Sequence, residues 1–216
     1  MAKKNILAVG AHADDVEIGC GGTIALHSKI GDNVYMLVIA ESYYSNYDGR
    51  VIRSREEGDI EERKAAKILG SKLINLGFET KKVPYSVELI EKINEIIDRY
   101  KIGTVYTHWY HDTHQDHRRT TQSVVSAARY VPNILMYEPE YPAGRSYLGF
   151  RNQFYVDISS TIEIKMEALR QHKSQVEKFG NNYFLEAVEA RARHNGYEIQ
   201  SKYAECYEVL RFLGEI

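Results

Sequence analysis

Five short apolar runs recur through this chain, four of them followed directly by a segment of helical period, and that alternation leaves few folds open. Ile6 to Gly10, Val34 to Ala40, Leu73 to Leu76, Gly103 to Thr107 and Ile134 to Tyr137 read as buried strands; they are bounded by turn residues and too short for helices. Between them lie Gly21 to Ile30, closed near Gly31; Glu56 to Leu69, with Gly70 as its C-terminal cap; Val87 to Tyr100; and a stretch from about His117 to Arg129. Leu89, Ile90, Ile93, Ile96 and Ile97 form the stripe of a surface helix facing a core. The repeat predicts an α/β fold: a Rossmann-like, doubly wound, mostly parallel sheet with helices on both faces. Phe154 to Ile158, Thr161 to Gln175, Asn182 to Arg193 and Tyr203 to Phe212 read as strand, helix, helix, strand, extending the same layers.

With 216 residues, 44% of them apolar, the chain can bury one sizeable core, and residues 1–216 are expected to form a single domain. It has no repeats, low-complexity tract or Pro/Gly-rich linker; three of its four prolines, from Pro132 to Pro142, mark an irregular connection. A net charge of -2 lacks the electrostatic footprint of a general nucleic-acid binder. The start, with Lys3 and Lys4 before Ile6 to Gly10, is too short and too soon acidic for a signal peptide. No stretch approaches the roughly 20 apolar residues that span a bilayer. Two cysteines, Cys20 and Cys206, without CxxC spacing suit a reducing cytoplasm. Leu210 to Leu213 can pair within the sheet or across an interface, so a homo-oligomer stays open.

Doubly wound sheets bind ligands outside the carboxyl ends of their strands, where strand order reverses; in the order 3-2-1-4-5 the first and fourth strands flank that switch. Here those two strands are followed by Ala11-His12-Ala13-Asp14-Asp15-Val16-Glu17 and by His114-Gln115-Asp116-His117. A nucleotide at the first turn would need GxGxxG directly after the strand. Asp14 and Asp15 would repel phosphate, and Gly19, Gly21 and Gly22 come too late; they let a helix N-terminus pack close to the loop. Two imidazoles and a cluster of carboxylates at matching strand ends point to one divalent ion.

A borderline ion such as zinc accepts imidazole nitrogen and carboxylate oxygen, and a catalytic site keeps three protein ligands with one position open. His12, Asp15 and His117 are the expected three. Asp14 is left beside the ion as candidate base, for a water whose pKa the ion brings from about 15.7 toward about 7. His114 is expected over the substrate; with Asp116 nearby to favour imidazolium, it would stabilise an oxyanion and help protonate a leaving amine. His108, His111 and Asp112 have weaker claims. Tyr43, Tyr44 and Tyr47 cluster after the second strand beside Glu41, and Glu41, Tyr43 and Tyr44 are the candidate substrate contacts, since sugar rings stack on aromatics. The charged run from Arg53 to Lys67 reads as a solvated helix face.

Gly10-Ala11-His12-Ala13-Asp14-Asp15-Val16-Glu17-Ile18-Gly19-Cys20-Gly21-Gly22-Thr23 resembles the AHPDDE motif and glycine-rich continuation of the PIG-L/LmbE-like N-deacetylases, and Asp112 to His117 is similar to that family's HPDH motif. Asp157-Ile158-Ser159, Ala168 to Gln175 and Tyr203-Ala204-Glu205 are similar to its later, softer signatures, so the resemblance covers nearly the whole chain. It implies a zinc-dependent hydrolase, with iron(II) the other ion to consider, that removes acetyl from a small N-acetylated amino sugar or glycoconjugate such as N-acetylglucosamine. The ligands would be His12, Asp15 and His117, the base Asp14 and the polarising histidine His114. Ala13 and Gln115 replace the two motif prolines, and Ala40-Glu41-Ser42 stands where the family commonly has Thr-x-Gly. Two rival readings use the same residues: a non-haem iron(II) oxygenase built on a two-histidine, one-carboxylate triad, and a non-catalytic metal-dependent carbohydrate-binding protein.

Overall fold

Alternation within each strand builds two cores, one on either face of a central sheet. The computed structural model describes residues 3–46, 48–140, 144–180 and 182–213. Its parallel strands are β1 (Asn5–Gly10), β2 (Asn33–Ala40), β5 (Lys72–Phe78), β6 (Thr104–Thr107) and β7 (Asn133–Tyr137); β3 (Tyr44–Ser45) and β4 (Val51–Arg53) form a separate small hairpin. The sheet runs β5-β2-β1-β6-β7 and continues into β9 (Ala204–Arg211) and β8 (Phe154–Asp157), which are antiparallel additions. The first five strands thus take the expected order, and β1 has β2 on one side and β6 on the other.

Leu7, Val9, Leu37 and Val105 face α3 (Val87–Tyr100) and α4 (Gln115–Ala127), whose Leu89, Ile93, Ile97 and Val124 complete the first core. Ile6, Ala8, Met36 and Leu135 face α1 (Asp15–Lys29), α2 (Arg55–Leu69) and α5 (Ile162–Arg170) through Ile24, Ala65, Leu69 and Ala168. A strand buried on both faces needs no polar alternation, which is why the runs are continuously apolar. A third cluster joins Ile18 and Ile162 to Phe184 and Val188 of α7 (Asn182–Glu198).

Several boundaries depart from expectation. The first helix begins at Asp15, not Gly21, and is kinked at Cys20 (φ -146°). Glycine has low helix propensity, but packing overrides it: a Cβ at Gly19 would sit 2.2 Å from the Tyr137 ring, and one at Gly22 would sit 2.7 Å from Ile158. The amides freed by the kink are satisfied by the buried Glu205, which accepts Gly22 N–H (2.9 Å) and Thr23 N–H (2.8 Å). Lys165 Nζ donates to Glu205 (2.6 Å) and to the Ile18 carbonyl (2.8 Å) across the same break. The expected helix from Thr161 to Gln175 is two, α5 and α6 (Lys173–Lys178), turning at Gln171 and His172. Nor is the charged run after Arg53 simply solvated: Arg53 and Glu62 are buried, Arg53 donating to the Ser42 carbonyl and Glu62 accepting Ser42 Oγ–H. Leu210 lies within β9, and the Phe212 ring packs on Phe154 at 5.6 Å. Among the described residues no helix is long and apolar enough to cross a membrane.

Candidate metal centre

The two histidine-bearing segments leave the sheet side by side. β1 and β6 pair as far as Ala8 and Tyr106 and then part, so the loops after Gly10 and Thr107 open into one crevice. Asp14 occupies the left-handed region at φ 113°, a conformation aspartate tolerates better than most residues yet still at a cost. That turn swings Asp15 into the first position of α1, where its Oδ2 accepts the His12 backbone N–H at 2.6 Å. On the other side His114, not His117, sits at the start of α4 as its N-cap, with Nδ1 accepting the Asp116 N–H at 3.2 Å; His117 falls in the first turn.

Asp15 is the point of convergence. Its Oδ1 lies 3.4 Å from His117 Nε2 and its Oδ2 lies 3.5 Å from His12 Nδ1. The far nitrogen of each histidine is held by a buried carboxylate: His12 Nε2 by Asp116 (2.9 Å) and His117 Nδ1 by Asp112 (2.9 Å). The two imidazoles therefore turn opposite nitrogens inward, each oriented from behind, as in histidine ligands with carboxylate support. Ligand atoms of His12, His114 and His117, and those of Asp15, His108 and His117, each fall within 4.8 Å of one another, with His117 common to both groups. The expected set of His12, Asp15 and His117 is not itself such a group: Asp15 meets each of the two histidines separately, and the two-imidazole, one-carboxylate group is Asp15, His108 and His117. Donors of these kinds fit a borderline divalent cation such as zinc or iron(II).

The electrostatics follow from this crowding. Burial disfavours charge on His117, yet Asp15 and Asp112 outweigh it and push the imidazole up to about 10. Burial also opposes charge on His12, which Asp116 and Asp15 nonetheless raise above its ordinary value. Asp14 is pushed up to about 6, by burial first and then by the charge of Asp15, with His172, Arg53 and His12 pulling the other way. Its carboxylate makes no cap hydrogen bond.

Asp116 requires a correction. Its charge favours the imidazolium form of His114, as expected, but its fully buried carboxylate is committed to His12 and accepts the Lys81 and Val83 amides at 2.7 and 3.3 Å. Positions two apart on a helix do not share a face, so a carboxylate following His114 by two turns away from it. Burial, with His117 and His12 adding like charge, lowers His114 to about 4 despite Asp116 and Asp15. That direction runs against the expected imidazolium, and with Nδ1 accepting an amide a neutral His114 ring would carry its proton on Nε2.

Residues given weaker claims gain weight. Asp112 orients His117, and the buried His108 stacks on the His117 ring at 3.9 Å; His111 is exposed and packs on Trp109 and Tyr110. A second buried pair, Glu17 with His172 (3.1 Å), borders Asp14; His172 lies in the segment from Ala168 to Gln175 that carries one of the softer motif resemblances, but nothing in that segment's sequence points to Glu17 as its partner. Of the expected substrate contacts, Glu41 is ion-paired with Arg55, and Tyr43 gives its carbonyl to Thr80 Oγ1. The Tyr44 ring lies under Lys178 Nζ (3.9 Å) and Lys81 Nζ (5.1 Å), so cations already occupy the surface expected to stack on a sugar. Tyr47 lies outside the described residues.

A switch-point crevice carrying these motifs has relatives. The model of the PIG-L family, described as GlcNAc-PI de-N-acetylase, matches residues 7–128, and the chain belongs to that family. Among curated proteins it is 33% identical over 180 residues to the uncharacterized deacetylase YaiS of Escherichia coli K12, covering 80% of this chain and 92% of that one. It is 31% identical over 191 residues to the diacetylchitobiose deacetylase of Thermococcus kodakarensis, covering 80% and 70%. Among solved structures it is similar to N,N'-diacetylchitobiose deacetylase from Pyrococcus horikoshii, with a TM-score of 0.77 at 25% identity over 96% of this chain and 84% of that one.

Proposed function

We propose that the chain is a metal-dependent deacetylase that hydrolyses the acetamide of an N-acetylated amino sugar or sugar conjugate. The observation that carries this reading is the approach of both His12 and His117 to Asp15, both imidazoles braced by buried carboxylates, beside an aspartate whose carboxylate makes no cap hydrogen bond. Relatives named as deacetylases of acetylated chitobiose supply the substrate class. His12 Nδ1, Asp15 and His117 Nε2 would hold the ion. A divalent cation bound there polarises a carbonyl oxygen and acidifies water, the Lewis-acid part of amide hydrolysis.

The chain's own residues do the rest. Asp14, next to Asp15, takes a proton from the attacking water as it adds to the acetyl carbon. His114 donates Nε2–H to the oxygen that becomes negative, as a neutral imidazole can. Asp14 then returns its proton to the nitrogen as the C–N bond breaks, leaving a free amine and acetate. An oxygenase reading gives Asp14 no task. The buried free thiols of Cys20 and Cys206 suit a reducing compartment, in keeping with work in the cytoplasm.

The test is a panel of N-acetylated sugars and sugar nucleotides offered to zinc- or iron-loaded protein, reading out liberated amine and acetate under air and under argon. Amine release in both atmospheres is expected; binding without release sinks the proposal. Asp14→Ala should retain its metal while turnover falls about 10²–10⁴-fold.

A further inference from the structure

His108 has no role in the reaction above, yet it is more deeply buried than any of the three expected ligands. It follows β6 directly, and its side chain is only 3% exposed. Past Ala8 and Tyr106 the main-chain ladder between β1 and β6 stops. The Ala11 carbonyl still pairs with β2, accepting Ala40 N–H at 2.8 Å, but the Ala11 N–H faces the opening. His108 Nε2 accepts it at 2.9 Å, a side chain standing in for the missing strand partner.

The same ring is packed from both sides. It stacks on His117 at 3.9 Å and 17°, and Tyr137, whose hydroxyl donates to the Val9 carbonyl, lies 4.9 Å from it. His117 stacks in turn on His114 at 4.4 Å. Thr121 Oγ1 reaches the carbonyls of both His108 (3.1 Å) and His117 (3.0 Å), tying the strand end to α4. Nε2 also lies 3.1 Å from Asp15 Oδ2, so the ring sits between the Ala11 amide and the carboxylate on which the expected ligands meet; while it accepts the amide hydrogen its lone pair is engaged.

We propose that His108 is a positioning residue of the metal centre: by capping the Ala11 amide and stacking on His117, it fixes the separation of the two ligand-bearing loops across the parted strands. The inference rests on the proposed metal centre and deepens it. Glutamine at this position keeps an acceptor and loses the ring; phenylalanine keeps the ring and leaves a buried amide unpaired; alanine loses both.

The experiment measures zinc affinity by chelator competition for the wild type, His108→Gln, His108→Phe, His108→Ala and His117→Ala, with thermal unfolding of each metal-free protein beside it. Expected are losses of about 10–100-fold for the phenylalanine and alanine variants, the scale found for residues that support metal ligands, with glutamine recovering part of the loss. Wild-type affinity in His108→Phe or His108→Ala overturns the proposal, as does a lowered melting temperature with unchanged affinity. A loss in His108→Gln as large as in His117→Ala also overturns it, because His108 would then be a ligand. A wild type that binds no zinc refutes the metal centre itself, a different failure. Should alanine fail to fold, the glutamine and phenylalanine variants decide.

Discussion

At the scale of single residues, the two carboxylates behind the histidines carry different burdens. Asp112 receives the His117 ring and the His114 amide, so Asp112→Asn should leave the fold intact. It should also weaken zinc binding about 10–100-fold in chelator competition. His27 gives a pH signature away from the centre. Its ring is lodged between Asp32 (2.7 Å) and the Tyr106 hydroxyl (3.0 Å), and burial, opposed by Asp32, holds it below its ordinary 6.5. The unfolded chain therefore binds that proton more readily, so the contribution is complete above 6.5 and is lost as pH falls below it. Melting temperature measured from pH 7.5 to pH 5 should fall less steeply in His27→Gln than in the wild type. His12, Asp14, Asp15, His114 and His117 were legible because two clusters of metal-binding residue types followed two apolar runs. The partner of Asp116 was not, because adjacency in sequence hides which way a helical side chain points.

At the scale of elements, the periodicities of strand and helix located most of the sheet and its covering helices. What they missed has local causes. The hairpin of β3 and β4 is two strands of a few residues with little apolar signal. The break between α5 and α6 carries no proline or glycine; His172 turns inward there to meet Glu17. Glu205 was marked by its motif but not as the staple of α1. Removing it takes the counter-charge from Lys165, a residue only 2% exposed, and the acceptor from two helix amides. Breaking such a buried pair from one side costs about 3–5 kcal/mol. Urea unfolding of Glu205→Ala should show a loss of that order, and a loss under about 1 kcal/mol would mean that the kink supports itself.

At the scale of the molecule, the order of the first five strands could be inferred because right-handed strand-helix units wind outward from a central pair. The two antiparallel strands could not be ordered, since apolar runs of that kind pair in either direction. Binding of metal to the folded state alone should stabilise the whole protein. At about one hundred times the dissociation constant the gain is about 2.7 kcal/mol, so chelator should lower the melting temperature by several degrees and added zinc restore it. An unchanged melting temperature would place the ion off the folded structure.

The staple on α1 also has a consequence for how the chain is made. Glu205 reaches back 183 residues to the Gly22 amide, so that contact can close only after residue 205 has been synthesised. While the nascent polypeptide is still leaving the ribosome it already contains His12, Asp15 and His117, but not the strand that secures the helix Asp15 begins. Under the proposed function, the helix that carries Asp15 would gain its full support for holding a cation only after β9 has been made.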